Sequence, residues 1–491
     1  MTAPRAAAVL IAVASLGACA VGPDFKRPQA PPASGYGASQ PQGPIAASGP
    51  GPGAEQRFVT DLDIPAQWWA LFGSAKLNKL VEEALRANPN VAAAEAALRQ
   101  ANELHLAQRA ALFPVVQAGI GVQRTRNPND TLTNPTTSTS SIYNLYTAQL
   151  SLSYVPDVFG GIRRSAEAAG AQAEFTRYQR DAAYLTLSSN VVVAAIQEAG
   201  LRGAMAAVQR QLALQRELTE TVRRQRSLGT ASDLDLLSQQ SAEAQTAQLL
   251  PPLVKQLGFT RDLLTALLGR LPSEEPEETF HLEDVTLPTE LPLSLPSRLV
   301  EQRPDIRQAE ANLHAASAEV GVAISARLPQ FAITAAGGST ALTTGALFGS
   351  QTGFWGLGFS ALQTLFDAGA LQHRQRAAEA AFDQAAAQYR ATVIVACQNV
   401  ADSLRALQAD AEALRASAEA DRAAEAAYQL ARRQYDLGSI SLLAVMNAEI
   451  AFRQARTTLV QAQATRYADT AGLFQALGGG WTSAEGKASH E

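Results

Sequence analysis

Two long runs rich in Ala, Gln and Arg are each broken once, at a single glycine: RRQRSLGTASDLDLL at 223–237 and RRQYDLGSISLLAVM at 432–446. Gly229 and Gly438 lie 209 positions apart (438 − 229). A chain that ends a long helix twice in the same way is built from two copies of one unit, and other matches support this. ALRANPNVAAAEAALRQA (84–101) aligns with LVEQRPDIRQAEANLHAA (299–316) at an offset of 215, pairing Pro89 with Pro304, Glu95 with Glu310 and Pro114 with Pro329. DVFGGIRRSAEAAGAQAEF (157–175) answers TLFDAGALQHRQRAAEAAF (364–382), and LLTALLG (263–269) answers LFQALGG (473–479).

Each copy reads as helix, strand, loop, strand, very long helix, glycine break and returning helix. The long helices are expected from about 157 to 228 and from 366 to 437, roughly 105 Å each if unbroken, with returning partners at 231–268 and 439–477. Leu404, Leu407, Ala411, Leu414 and Ala418 step by three and four, which predicts a coiled-coil seam. Aromatics are only 6% of the 491 residues, so thin helical packing is expected rather than one thick core.

The strands announce themselves by period two. Val116, Ala118, Ile120 and Val122 alternate with Gln117, Gly119, Gly121 and Gln123. Tyr146, Ala148, Leu150, Leu152 and Tyr154 alternate with Leu145, Thr147, Gln149, Ser151 and Ser153. The second copy offers 331–335 and 354–360, and NPNDTLTNPTTSTSS separates the first pair of strands. No stretch beyond the N-terminus has eighteen uninterrupted apolar residues, so any membrane crossing is made by strands. Four strands cannot stand alone in hydrocarbon, because their edges would leave backbone groups unpaired. The chain must pool strands with copies of itself, two copies for eight or three for twelve, and the inward Gln, Gly, Ser and Thr would leave the enclosed space wet.

The N-terminus sets the compartment. MTAPR precedes the short apolar AAAVLIAVAS and then Leu16-Gly17-Ala18-Cys19, a secretory signal ending in a lipobox, with Cys19 as the lipid-bearing first residue. Cys397 is the only other cysteine and reads as a packed helical residue. The expected organisation is a signal peptide at 1–18 and a lipid-anchored, Pro/Gly-rich tether at 19–66, too rich in both to pack. The first repeat follows at 67–270, with strands near 114–124 and 143–155 and a tip at 228–232. A Pro-rich linker at 271–298 leads to the second repeat at 299–480, with strands near 329–339 and 354–363 and a tip at 437–441. A polar tail occupies 481–491.

In this order the motifs CAVGPDFKRP, WWALFGSAKLNKLVEEAL, NPNVAAAEAAL, RPDIRQAEANL, LFDAGALQ, YRATVIVACQNVADSL and the two Leu-Gly breaks make the mature chain resemble the TolC-like outer-membrane efflux factors, in their NodT- or OprM-type lipoprotein branch. The resemblance implies a mainly α fold with a membrane β-barrel: a homotrimer with twelve strands and a twelve-helix periplasmic α-barrel. It implies passive export of small molecules, with a periplasmic adaptor (membrane fusion) protein, an RND-type inner-membrane pump and outer-membrane lipid as partners. The glycine breaks become the periplasmic tips, where Leu228, Gly229, Thr230, Leu437, Gly438 and Ser439 would meet the adaptor. Gly supplies the positive φ that ends a helix, and Arg223, Arg224, Arg226, Arg432 and Arg433 suit the C-terminal dipoles. Asp233, Asp235 and Asp436 are gate candidates, although Asp233 equally suits a helix N-terminus. Ile440 stands where related channels often carry an aspartate, so the second tip is expected to seal with apolar side chains.

Other chemistries find little support. The net charge of −5 argues against a nucleic-acid partner. Histidines 105, 281, 314, 373 and 490 lack metal-ligand spacing, and Gly356-Leu357-Gly358-Phe359-Ser360-Ala361 has strand alternation rather than a dinucleotide-loop context. No cofactor is expected beyond the covalent lipid on Cys19, and no catalytic set is found. Glu95 and Glu310 read as helix-surface charges. The alternatives are a structural envelope lipoprotein spanning the periplasm, or a channel for metal-ion efflux or type I secretion. With three methionines in the whole chain, organic cargo is favoured over metal ions.

Overall fold

A computed structural model describes residues 20–33, 35–36, 44–45, 53–60, 62–126 and 142–479. Cys19, the 127–141 loop and the 481–491 tail lie outside these. In chain order the elements are β1 (Pro44–Ile45), β2 (Gln56–Thr60), α1 (Ala75–Ala87), α2 (Pro89–Ala110), β3 (Val115–Arg126), β4 (Ile142–Tyr154), α3 (Gly161–Ser227), α4 (Asp233–Ala247) and α5 (Leu250–Leu267). Then come β5 (Glu290–Leu293), α6 (Pro296–Gln302), α7 (Pro304–Ser325), β6 (Gln330–Ala341), β7 (Gly353–Leu362), α8 (Ala370–Asp436) and α9 (Leu442–Ala476).

The repeat is visible in the element lengths. α2 and α7 have 22 residues each, β3 and β6 have 12 each, and α3 and α8 have 67 each. One asymmetry was not anticipated. The second returning helix, α9, is continuous for 35 residues, whereas the first is split between α4 and α5. Pro251 and Pro252 explain the split, since neither has an N–H to give to the carbonyls one turn back.

The chain forms two compact units. The first comprises residues up to 27, 98–175 and 309–389, and holds an antiparallel sheet in the order β3-β4-β6-β7. Register places Val116 opposite Leu152, Leu152 opposite Ala335 and Ala335 opposite Leu357, so one row of apolar residues crosses all four strands. Leu150, Gly337 and Trp355 form the adjoining row, again on one face. That face is open: Ile120 is 86% exposed and Trp355 84%. The opposite face carries Gln117, Gln149, Ser151, Thr147 and Thr340. Among the described residues β3 and β7 each pair on one side only, leaving two open edges.

The second unit, residues 28–97, 176–308 and 390 onward, is helical with a small three-stranded sheet. β1 pairs antiparallel with β2, and β2 pairs parallel with β5. This corrects two expectations. The 19–66 segment is not only a tether, because it supplies two strands. The 271–298 segment is likewise built in: it supplies β5, and Phe280 and Leu291 are fully buried. Composition misled here because Pro tolerates edge and non-hydrogen-bonding positions in short strands. Trp68 stacks on Phe474 at 5.5 Å and meets Phe72 edge-on at 6.3 Å, forming the aromatic centre of this unit.

The helical seam runs as expected through Leu404, Leu407, Ala411 and Leu414, all buried, but its next buried positions are Ser417 and Asp421 rather than Ala418. On α3 the matching seam is Ala204, Val208, Gln211, Gln215, Leu218 and Val222. One 18-residue window of α3 is apolar enough to cross a membrane by composition, and half of it is buried within the chain, as a packed helix requires.

Candidate functional site: the paired hairpin tips

Both glycine breaks lie in the helical unit and close with the same hydrogen bonds. At the first, Gly229 N–H donates to Arg226 O at 2.9 Å and Thr230 N–H to Gln225 O at 2.9 Å. At the second, Gly438 N–H donates to Tyr435 O at 2.8 Å and Ser439 N–H to Gln434 O at 2.8 Å. At each tip the second of these bonds spans five residues over a left-handed glycine, at φ 78° for Gly229 and 72° for Gly438. A Cβ at either position would meet nothing within 4 Å, so backbone conformation alone demands glycine.

The two long helices are joined one to three turns before the breaks. Tyr435 Oη donates to Gln225 Oε1 at 2.7 Å, and Arg432 Nη2 reaches Glu217 Oε1 at 2.5 Å. Beneath these bonds Leu218, Val222, Leu236, Tyr428, Leu442 and Val445 form one buried cluster drawn from α3, α4, α8 and α9. Ile440 packs against that cluster, half-buried, so its apolar side chain faces its own chain. Leu228 and Leu437, by contrast, are 78% and 81% exposed, and Leu234, Leu237 and Leu443 are exposed nearby.

The three gate aspartates have different surroundings. Asp233 forms an ion pair with Arg226. Asp235 belongs to a capping box: its N–H donates to Ser232 Oγ at 3.1 Å, and its carboxylate accepts from Ser232 N at 2.9 Å. The Ser232 hydroxyl and amide hold that carboxyl below the ordinary aspartate range. Asp233 is the first residue of α4, as its helix N-terminal reading expects, and the cap itself is made by Ser232 and Asp235. Asp436 is exposed on the last turn of α8. Of the five arginines, Arg224, Arg226 and Arg433 occupy last turns, while Arg223 pairs with Glu220 and Arg432 with Glu217.

Sequence reasoning missed a ladder of buried polar contacts behind the tips. Gln211 donates to Glu449, Gln239 to the side chain of Gln215, and Thr219 Oγ1 to Glu243 Oε2 at 2.8 Å. Arg456 pairs with Asp421 at 2.9 Å and Glu425 at 3.1 Å. Burial raises the Glu449 carboxyl above its ordinary range. Glutamines at seam positions 211 and 215 were the available signal. Asp410 of α8 is half-buried with Asp469 of α9 as its acidic neighbour, and burial together with that neighbour pushes Asp410 up to about 7. Glu95 and Glu310 are not bare surface charges either. Tyr184 Oη donates to Glu95 Oε1 at 2.6 Å, and Glu310 is buried and paired with Arg27 at 3.1 Å.

One chain thus carries both an apolar, edge-open sheet and a pair of matched helical hairpins. The outer membrane efflux protein family model matches residues 80–270 and 295–479, and the chain belongs to that family. It is therefore an outer-membrane protein of efflux, and its relatives are channel proteins. It is 31% identical over 426 residues to the pyoverdine export outer membrane protein OpmQ of Pseudomonas putida, covering 85% of this chain and 89% of that one. It is 28% identical over 469 residues to the toluene efflux pump outer membrane protein TtgF of Pseudomonas putida, covering 95% of each. Its fold matches the solved outer-membrane channel OprN with a TM-score of 0.83 at 27% identity, over 94% of this chain and all of that one.

Two outcomes follow from this geometry. Gly229→Ala and Gly438→Ala each lower stability by about 1–2 kcal/mol, the cost of a left-handed non-glycine residue, and Asn at either position costs less; thermal unfolding checks the order. For the carboxyl pair, an unfolded Asp410 loses its proton near the ordinary value of 3.8 while the folded one keeps it to about 7. Stability therefore falls as pH rises through that window. The melting temperature should be higher at pH 5.5 than at pH 8 through this pair, and Asp410→Asn should flatten the difference.

Proposed function

We propose that three copies of this chain pool their strands into a closed twelve-stranded barrel and their helices into a twelve-helix periplasmic duct. The duct passes small organic molecules outward when docked to a periplasmic adaptor and an RND-type inner-membrane pump. The observation that carries this reading is the four-stranded sheet with one exposed apolar face, one polar face and two open edges. Lipid would satisfy the first face, transported solutes and water the second, and neighbouring copies the edges. Three copies rather than two rests on the family resemblance.

The tips are the docking positions. Exposed leucines at 228, 234, 237, 437 and 443 surround a cluster that is already closed within the chain, and such a patch suits a partner's helices. The Tyr435–Gln225 and Arg432–Glu217 contacts hold the two hairpins together, which supports a resting state that opens when they part. Asp233, Asp235 and Asp436 then act less as a bare carboxylate ring than as groups that shape the tips, with Asp436 the most open to solutes. Organic cargo agrees with the pyoverdine and toluene named for OpmQ and TtgF. Cys19 would carry the lipid anchor, with no other cofactor.

Photocrosslinking from position 228 or 437 in living cells should capture a periplasmic adaptor, and capture of only cell wall or further copies would favour a scaffold. In planar bilayers, the double variant Arg432→Ala with Tyr435→Phe should conduct severalfold better than the parent. An unchanged conductance would remove the tips as the gate.

A further inference from the structure

The segment after Cys19 is held in the sheet-bearing unit by a series of contacts. Val21 N–H donates to Phe159 O at 3.0 Å, and Arg164 donates to Val21 O at 3.2 Å and Asp24 Oδ1 at 2.6 Å. Phe25 stacks on His314 at 4.3 Å, and Arg27 pairs with Glu310 at 3.1 Å. The backbones touch as well: a Cβ on Gly22 would fall 2.4 Å from Gly321 Cα, and one on Gly160 would fall 2.6 Å from Ala20 Cα and Cβ. Ala20 is thereby pinned over Gly160, and Cys19, outside the described residues, precedes it directly in the sequence.

Next to this point, in the same unit, is a groove of about 360 Å³ whose apolar wall is formed by Phe159, Ile162, Val322, Ala326, Pro329 and Phe331. Several of its side-chain polar groups are bonded within the chain. Gln108 donates to Ser165 Oγ at 2.8 Å, Ser325 Oγ to Val322 O at 2.8 Å, and Gln330 to Ser325 O at 3.1 Å. Asp157 accepts the backbone N–H groups of Ile162 and Arg163, each at 2.9 Å. A hydrocarbon chain would find contacts along the apolar side of the groove.

We propose that this groove seats the first part of an acyl chain carried by Cys19, fixing the lipid against the protein before it enters the bilayer. The inference rests on Cys19 being lipid-modified. The tether argues for this occupant over a free bilayer lipid, because a chain attached one residue from the groove is present there at high effective concentration.

The test uses the full-length protein made in cells fed a diazirine-bearing fatty acid, irradiated, purified, digested and analysed by mass spectrometry. The expected result is photolipid on the Cys19 peptide and intrachain crosslinks from it to peptides spanning 159–162 or 322–331. Ala326→Trp, at an exposed position, should reduce those crosslinks severalfold while leaving the Cys19 modification in place. A modified Cys19 crosslinked only to phospholipid, to the strands or to another copy would overturn the groove while keeping the lipid anchor. Free phospholipid crosslinked to the groove would do the same. An unmodified Cys19 would overturn both.

Discussion

Everything in this molecule answers to the unpaired edges of one sheet. A strand that faces hydrocarbon must satisfy all its backbone groups within protein, and β3 and β7 each have a partner on one side only among the described residues. The apolar rows across β3, β4, β6 and β7 suit one face to lipid, and the Gln, Ser and Thr rows suit the other to water. A sheet with these two faces has no stable use in a single copy. In the proposed duct, assembly is a condition of membrane insertion rather than a later refinement.

The helices meet a different demand, which is to pack over great length with little apolar material. Small seam residues such as Ala204 and Ala411 allow close approach, and Gln211, Gln215, Thr219, Glu243 and Glu449 add directed bonds between helices. Polar seam contacts set register more than they add stability. Register matters here because it brings two glycine breaks, 209 positions apart, to matched ends joined by Tyr435 and Arg432.

Much of this was legible in the sequence because repeats and periodicity are local signals. Alternation placed the first two strands near 114–124 and 143–155, close to the observed Val115–Arg126 and Ile142–Tyr154, and one glycine marked each tip. The misses share a cause. Whether Pro/Gly-rich chain packs depends on what surface awaits it, and no local pattern reports that. The 19–66 and 271–298 segments therefore looked like tether and linker, yet they meet as β2 and β5. Glu310 looked like a surface charge because its partner, Arg27, is 283 positions away.

The most direct test of the account is the mass of the particle extracted from the outer membrane in mild detergent, measured by native mass spectrometry. The account predicts three copies of the lipid-modified chain and no stable membrane-inserted monomer. A single chain that inserts and remains folded in a bilayer would contradict it, since the open edges of β3 and β7 would then have found no partner.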